Sequence, residues 1–460
     1  MKRALALAVL LVCGCAGVRP AAPPAAAVQA PAAWRTTLGP GTPVDAGWWN
    51  GFGDPELTRL VEAALANNVD IAVAAARVEE ARAQFRLAEA QRLPNVQAAA
   101  GGGEEREVSP FGTGVTTQGG QGQVAASYDL DLFGRLRTAA AAARAAMLAS
   151  AAARDGVRLA VASATASGYI GLRSLDARLV VLKETLADRT EELRIARRRA
   201  DTGYTSRLEL SQAEAEYRGT EQLIPAAELA ISRQEDALSL LVGESPRAIA
   251  RGAALDAMRA PPVPAGLPSD LLRRRPDIAQ AEDQLVAADR SLDSARAAFL
   301  PDVQLTASGG LAAAGIFPEN PITLFSVGGS ILAPIFDSGR LKAQADVAAA
   351  RRDQAAFAYR RTALTAFREV DDALAAVVRA EQQERSVTAQ RDALAEALRF
   401  AADRYRAGYS PYLDQLLAQR GLLAADLTLV QLHADRLTAM ISLYQALGGG
   451  WVAAAPPQKS

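Results

Sequence analysis

The chain has 460 residues, with 50 Lys and Arg against 51 Asp and Glu, half of them hydrophobic but only 5% aromatic, and a single histidine. That balance leaves no electrostatic footprint for nucleic acid, and few aromatics beside abundant alanine favour long helices over a β-sandwich. Both cysteines, Cys13 and Cys15, fall within the first fifteen residues, so the processed chain cannot hold an intrachain disulfide.

Met1-Lys2-Arg3 is a short positive stretch, and Ala4 to Val12 is an uninterrupted apolar run of secretory-signal length, too short to span a bilayer. Small Gly14 directly before Cys15 resembles the bacterial lipoprotein box, whose cysteine is lipidated and becomes the new N-terminus. Cys15 is therefore the expected acylation site, palmitate included, with ordinary cleavage nearby as the alternative. The absence of Asp at Ala16 accompanies outer-membrane sorting in such lipoproteins. From Arg19 to Ala46 the chain is rich in Pro and Ala without apolar period and reads as an extended tether, not a packed element.

The remainder is one unit written twice. Asn68-Val69-Asp70-Ile71 aligns with Arg275-Pro276-Asp277-Ile278, Leu93-Pro94 with Leu300-Pro301, and Phe133-Gly134-Arg135-Leu136 with Phe336-Asp337-Ser338-Gly339-Arg340-Leu341. Gly203-Tyr204 answers Gly408-Tyr409, so the repeat is about 205 residues long.

Within a copy the apolar period changes in a fixed order. It is helical from Val69 to Leu93 and stops at Pro94, because the residue before proline is pushed toward extended geometry. It then becomes two: Val124, Ala126, Tyr128, Leu130 and Leu132 alternate with Gln123, Ala125, Ser127, Asp129 and Asp131. Val303, Leu305 and Ala307 alternate with Gln304, Thr306 and Ser308, and Phe325, Val327 and Ile331 with Ser326, Gly328 and Ser330. A weaker strand is expected over Val96 to Gly102. Glu104 to Gly120 and Gly310 to Leu324, with their Gly, Pro and Asn, read as exposed hairpin loops.

Helical stretches of about 67 residues come next, Arg137 to Gly203 and Leu341 to Ala407, each roughly 100 Å long. Leu172, Leu175, Leu179, Leu182, Leu186 and Leu193 keep the spacing of a coiled-coil seam. A shorter helix returns in each copy, Ser206 to Gly243 in the first, with Pro225 expected to kink it. Two short helices stacked end to end match one long one, which implies a coiled-coil column with two β-hairpins at one end.

No run of about 18 apolar residues comes after the signal segment, so strands are the candidates to cross a membrane. Four strands cannot close a barrel, and an open edge in lipid is forbidden. Two, three or four copies would give eight, twelve or sixteen strands, and backbone physics leaves that choice open. The apolar faces would meet lipid, and Gln123, Ser127, Asp129, Gln304, Thr306 and Ser330 a wet lumen. A soluble sheet on a coiled-coil spacer is the bland alternative.

At four places the residues resemble the outer-membrane factors of the TolC and OprM type, most closely the NodT-like efflux lipoproteins. These are Trp48 to Leu57, Leu271 to Glu282 (LLRRRPDIAQAE), Phe336 to Arg340, and Arg404 to Asp414 (RYRAGYSPYLD). The resemblance implies a mainly α protein with a membrane β part. Three copies form a twelve-stranded β-barrel, four strands per protomer, on a long periplasmic α-helical barrel with an internal two-fold repeat. It divides the chain into a signal peptide (1–14), a lipid-anchored tether (15–47), two repeats (48–265 and 266–450) and a flexible tail (451–460).

Gly203 and Gly408 close the long helices as left-handed C-terminal residues, and Thr205, Ser206, Ser410 and Pro411 open the returning ones as cap and first-turn residues. The resemblance makes Gly203, Thr205, Ser206, Gly408 and Ser410 the tips that meet a periplasmic adaptor, and Tyr405, Leu413, Asp414 and Arg420 the contacts of a periplasmic aperture. There Asp414 would repel anions and Arg420 would clamp neighbouring protomers. The sequence departs from one branch of the family at Leu417 and Ser410, where that branch has an acid and an arginine, so apolar contact is expected to hold more of the iris.

No nucleophile elbow, phosphate-binding loop or zinc-helix motif is present, and His433 lies among helical-core leucines, so no enzyme activity, cofactor or metal is expected. Arg197-Arg198-Arg199 and Arg273-Arg274-Arg275 read as solvated or interprotomer faces. The expected function is the outer-membrane exit duct of a tripartite efflux system. Its homotrimer would be served by a periplasmic adaptor (membrane fusion protein) and an inner-membrane pump of RND type, and would carry small molecules or drugs. Type I protein secretion and a non-pore envelope spacer are the alternatives.

Overall fold

The computed structural model describes residues 19–36, 44–260, 264, 266, 268–314 and 321–452; the signal segment, Cys15 and the tail from 453 lie outside these. In chain order come α1 (Pro55–Asn67), α2 (Val69–Ala90), β1 (Asn95–Val108), β2 (Gly114–Asp129) and α3 (Arg135–Asp201). After them come α4 (Arg207–Glu221), α5 (Leu223–Leu241), the single turn α6 (Pro268–Leu271), α7 (Pro276–Ala297), β3 (Asp302–Ala314), β4 (Ile322–Leu332), α8 (Arg340–Arg406) and α9 (Tyr412–Ala446). Corresponding helices match in length: α2 and α7 have 22 residues each, α3 and α8 67 each. No helix of the described residues is long and apolar enough to cross a membrane.

Two compact units are distinguished. The first takes the chain up to Ala27, Ala76–Ala151 and Gln280–Arg361, and contains the sheet. The second takes Val28–Ala75, Ala152–Ala279 and the chain from Thr362.

In the first unit the four strands form one antiparallel sheet in the order β1-β2-β3-β4. Its register lines up the two-residue alternation of every strand. Val96 sits opposite Ala126, Ala126 opposite Ala307, and Ala307 opposite Val327. Tyr128 meets Leu305, and Val303 meets Ile331, on the same face. The other face carries Gln97, Ala125, Ser308 and Ser326 in one row and Ser127, Thr306 and Gly328 in another. Ser308 Oγ and Ser326 Oγ lie 2.9 Å apart. The apolar face is bare in the single chain: Phe325 and Val327 are each 84% exposed.

Three sequence expectations for these strands are corrected. The segment Glu104 to Gly120 is mostly strand: Arg106 pairs with Thr116 and Val108 with Gly114, leaving a tight turn in which the Ser109 amide donates to the Thr113 carbonyl at 2.7 Å. Likewise β3 extends to Ala314 and β4 begins at Ile322. Ladder hydrogen bonds need only backbone, so Gly, Thr and Gln extend a strand without any alternation to betray it. β2 stops at Asp129 instead of running on to Leu132. Asp131 turns into the left-handed region (φ 44°), and its carboxylate accepts the amides of Leu136 and Arg137 at 2.9 and 2.8 Å, capping α3. Asp337 does the same before α8, accepting from Leu341 at 2.8 Å.

The chain from Arg19 is extended, as expected, but it is packed. Ala26 and Trp34 are buried, the Trp34 indole donates to the Gly266 carbonyl at 3.0 Å, and Arg35 pairs with Asp371. Extended backbone leaves its carbonyls unpaired, and arginines of α8 satisfy them.

In the second unit the core gathers around the N-terminal segment. Trp48 stacks on Tyr444 with ring centroids 5.1 Å apart. Buried Asp54 accepts the amides of Glu56 (2.8 Å) and Leu57 (3.2 Å), starting α1, a helix that the apolar period did not give. It also accepts the Tyr169 hydroxyl at 3.1 Å and the Ala253 amide at 2.9 Å. Of the α3 seam, Leu172 and Leu182 are fully buried. The returning stretch Ser206 to Gly243 is two helices meeting at Gln222, because Pro225 has no amide for the carbonyl four residues before it.

Candidate functional site at the helical turns

Two turns of the second unit repeat each other in detail. Gly203 (φ 73°) and Gly408 (φ 80°) take the left-handed geometry that glycine adopts without Cβ penalty. The next amides reach back, Tyr204 to the Arg199 carbonyl at 2.8 Å and Tyr409 to the Arg404 carbonyl at 2.9 Å. These are six-to-one bonds that satisfy the last carbonyls of α3 and α8. Ser206 caps α4 by accepting the Glu209 amide at 3.4 Å. In the second turn Pro411 occupies the cap position without a side-chain bond, so Ser410 is not the cap it resembled. Thr205 Oγ1 and Ser410 Oγ are both buried and find no partner among the described residues. Tyr204 and Tyr409, which no sequence pattern marked as tip residues, are each about four-fifths exposed at the turns (81% and 80%).

Behind the turns Leu193, Ala196, Ala213, Tyr412 and Leu416 form a buried cluster, flanked by Leu210, Tyr217 and Tyr405. Tyr405 donates its hydroxyl to Glu209 Oε2 at 3.2 Å, and the Arg199 guanidinium lies 5.4 Å over its ring. Burial, and after it the Glu209 charge, raises the Tyr405 pKa. Tyr412 lies 5.5 Å from Tyr405, centroid to centroid, and burial pushes its phenol up to about 12.

Leu413, Leu417 and Arg420 fall at i, i+4 and i+7 on α9 and are all exposed, with Asp414 exposed beside them; Tyr412, Gln415 and Leu416 are buried. Among the described residues Asp414 has no ion pair. Arg420 does: its Nε donates to Glu216 Oε1 of α4 at 2.9 Å.

Glu216 leads to a group that sequence patterns alone did not bring together. Arg189 of α3, 3% exposed, faces Glu216 Oε2 at 3.6 Å and Glu192 Oε2 at 3.2 Å, and also bonds Gln419 of α9. Gln415 donates to Glu192 Oε1 at 3.0 Å. Two carboxylates and two guanidiniums therefore join α3, α4 and α9. The signal was present: between Leu186 and Leu193 the coiled-coil spacing requires an apolar residue at 189, and an arginine stands there.

Cys15 lies outside the described residues. His433 Nδ1 lies 2.9 Å from Glu384 Oε1, which places the histidine in a helix-packing contact. No group of His, Cys, Asp and Glu among the described residues could hold a metal ion.

The profile of the family described as "Outer membrane efflux protein" matches residues 60–244 and 267–449. The chain belongs to the outer membrane efflux protein family. It is 36% identical over 467 residues to the probable efflux pump outer membrane protein TtgC of Pseudomonas putida KT2440, covering 97% of this chain and 95% of TtgC. It is 34% identical to the probable outer membrane lipoprotein SilC of Salmonella typhimurium, covering 96% and 97%. The CusC crystal structure, reported for folding and transmembrane channel formation, superposes with a TM-score of 0.82 at 32% identity over 92% of this chain and 100% of CusC. As a member of the efflux family the protein resides in the outer membrane and is the exit duct of a tripartite efflux system.

Proposed function

We propose that three copies assemble, each giving four strands to a twelve-stranded barrel whose apolar face meets lipid, with the helices forming a periplasmic tunnel that conducts small molecules or drugs outward. The observation that carries this reading is the sheet: one face is apolar over the rows from Val303 and Ile331 to Phe325, with Glu104, Gln118, Arg106 and Thr116 only toward the β1–β2 turn, the opposite face is mostly polar over the same rows, and the two outer edges have no partners among the described residues. Hydrocarbon does not tolerate such edges, so other copies supply the pairing. The boundaries 48–265 and 266–450 are retained as the two repeats.

At the turns, Gly203, Thr205, Ser206, Gly408 and Ser410 meet a periplasmic adaptor, and an RND-type pump supplies the energy. The two buried hydroxyls without partners, at corresponding positions of the turns, support that contact. Tyr405, Leu413, Asp414 and Arg420 bound the aperture, and three unpaired Asp414 carboxylates around an axis favour cations. Cys15 carries the acyl anchor, in keeping with the description of SilC as a lipoprotein.

Deleting the gene is expected to make cells hypersensitive to drugs, restored by the intact gene; unchanged susceptibility contradicts an efflux duct. In planar bilayers Asp414→Ala is expected to lower the cation selectivity of the conductance several-fold. Identical selectivity before and after the substitution removes Asp414 from the aperture.

A further inference from the structure

In the second unit a cleft of about 280 Å³ lies where three segments far apart in the chain meet: the 3-10 turn Trp48–Phe52, the first half of α3 and the glycine turn after α9. Leu65 of α1 and Leu159 of α3 give it apolar walls, and Trp48, Trp49, Asp155 and Arg158 bring polar groups to it. The glycine turn can approach this closely only without side chains. Gly448, Gly449 and Gly450 have φ of 91°, 58° and 75°, and a Cβ on Gly449 would collide with Leu159 and come within 3.4 Å of Trp48 Nε1. Trp48 Nε1 therefore sits against a residue of the cleft wall.

The polar groups do not balance. Asp155, the carboxylate of the cleft, is engaged on both oxygens: Oδ2 accepts the Trp451 indole at 3.0 Å, and Oδ1 pairs with Arg154 at 2.6 Å. The donors are not engaged. Trp48 is 4% exposed and Trp49 9%, their rings stand edge to face with centroids 5.6 Å apart, and neither Nε1 finds an acceptor among the described residues. Arg158 is exposed, and its guanidinium has no ion pair or hydrogen bond among the described residues. An indole nitrogen only donates, and so does a guanidinium. Native interiors rarely leave a buried donor unpaired, because the lost solvation is not repaid, yet two stand side by side in this wall.

The complement of two indole N–H groups and a guanidinium is a group that only accepts and carries negative charge. The apolar walls favour a carboxylate on an aliphatic body over a bare inorganic anion, and a cleft of about 280 Å³ is smaller than the site of a drug-sized molecule, so that body is short. We propose that the cleft is a carboxylate site in which Trp48, Trp49 and Arg158 hold the acid group of a small aliphatic ligand, either a free short-chain acid or the C-terminal end of a peptide. Both present the same chemistry. The bound acid ties the 3-10 turn, α3 and the turn after α9 together, so it also stabilises the folded chain.

The test uses the full chain, assembled in lipid nanodiscs and labelled with 5-fluorotryptophan. Four tryptophans give four fluorine lines. Trp34→Phe and Trp451→Phe assign two of them and leave the Trp48 and Trp49 pair. Butyrate and acetyl-Ala-Ala, at millimolar concentration, are expected to shift that pair and leave the Trp34 line in place, while acetyl-Ala-Ala-amide and inorganic phosphate shift neither. Arg158→Gln is expected to weaken binding about tenfold, and Arg158→Lys to restore part of it. An unmoved Trp34 line in both variants shows that they are folded. Tighter binding of the dipeptide than of butyrate assigns the site to a peptide end, and equal binding assigns it to a free acid; each supports the carboxylate site. A pair that moves with neither carboxylate, that moves as far with the amide or with phosphate, or whose affinity is the same in Arg158→Gln overturns it.

Discussion

Asp54→Ala removes at one stroke the N-cap of α1 and the acceptor for the Tyr169 hydroxyl and the Ala253 amide. A lost cap costs about 1 kcal/mol and each of the two orphaned buried donors about 1–3, so the change is expected to destabilise the protein by roughly 3–7 kcal/mol in denaturant titration. Asp54→Asn, which keeps an acceptor, is expected to cost less than half of that. Burial also pushes Tyr169 and Tyr412 up to about 12, from 10.0 for a free phenol. Their folded pKa is raised, so the contribution is complete below pH 10. It is lost as pH rises from 10 to 12, where the unfolded chain releases protons that the folded chain keeps. The denaturation midpoint should fall across that window, and Tyr412→Phe should flatten the fall; an unchanged slope contradicts the assignment to Tyr412. Single residues were legible where chemistry and position coincided, as at Gly203 and Gly408. Arg189 was legible only in part: its place on the coiled-coil seam marked it as interior, but its partners Glu216 and Gln419 come from distant segments that the local sequence does not name.

Among the elements, periodicity read the long helices to within two residues at their starts and ends, because 67 residues of uninterrupted helix average out every local exception. It failed at the hairpin tips, where Gly and Thr pair through backbone alone, and it gave no helix over Pro55–Asn67, though it began α2 at Val69, where Asn68 breaks the helix and recaps it by accepting the Asp70 amide at 2.9 Å. The sheet gives the sharpest element-level prediction. Val327 lies on the apolar face, and Ser326, one residue away, on the polar one. If the apolar face meets hydrocarbon, Val327→Lys should cost up to about 2–4 kcal/mol near mid-depth while Ser326→Lys costs little. Heat resistance of the assembled protein in SDS reads the difference. Equal tolerance at both positions would mean that neither face meets lipid.

For the whole molecule, family membership is legible from sequence alone, and the repeat explains why: strand pair, long helix and returning helix recur with the same lengths. Copy number was not legible. A four-stranded sheet states that its edges must be covered, but eight, twelve and sixteen strands satisfy backbone pairing alike. The same incompleteness explains why so many large apolar side chains stand in the open, from Val96 on β1 to Ile331 on β4. The most direct test is native mass spectrometry of the protein released from lipid nanodiscs. The account predicts a particle of three chains, each carrying its acyl mass. A single chain whose sheet is nonetheless folded in the membrane would contradict it.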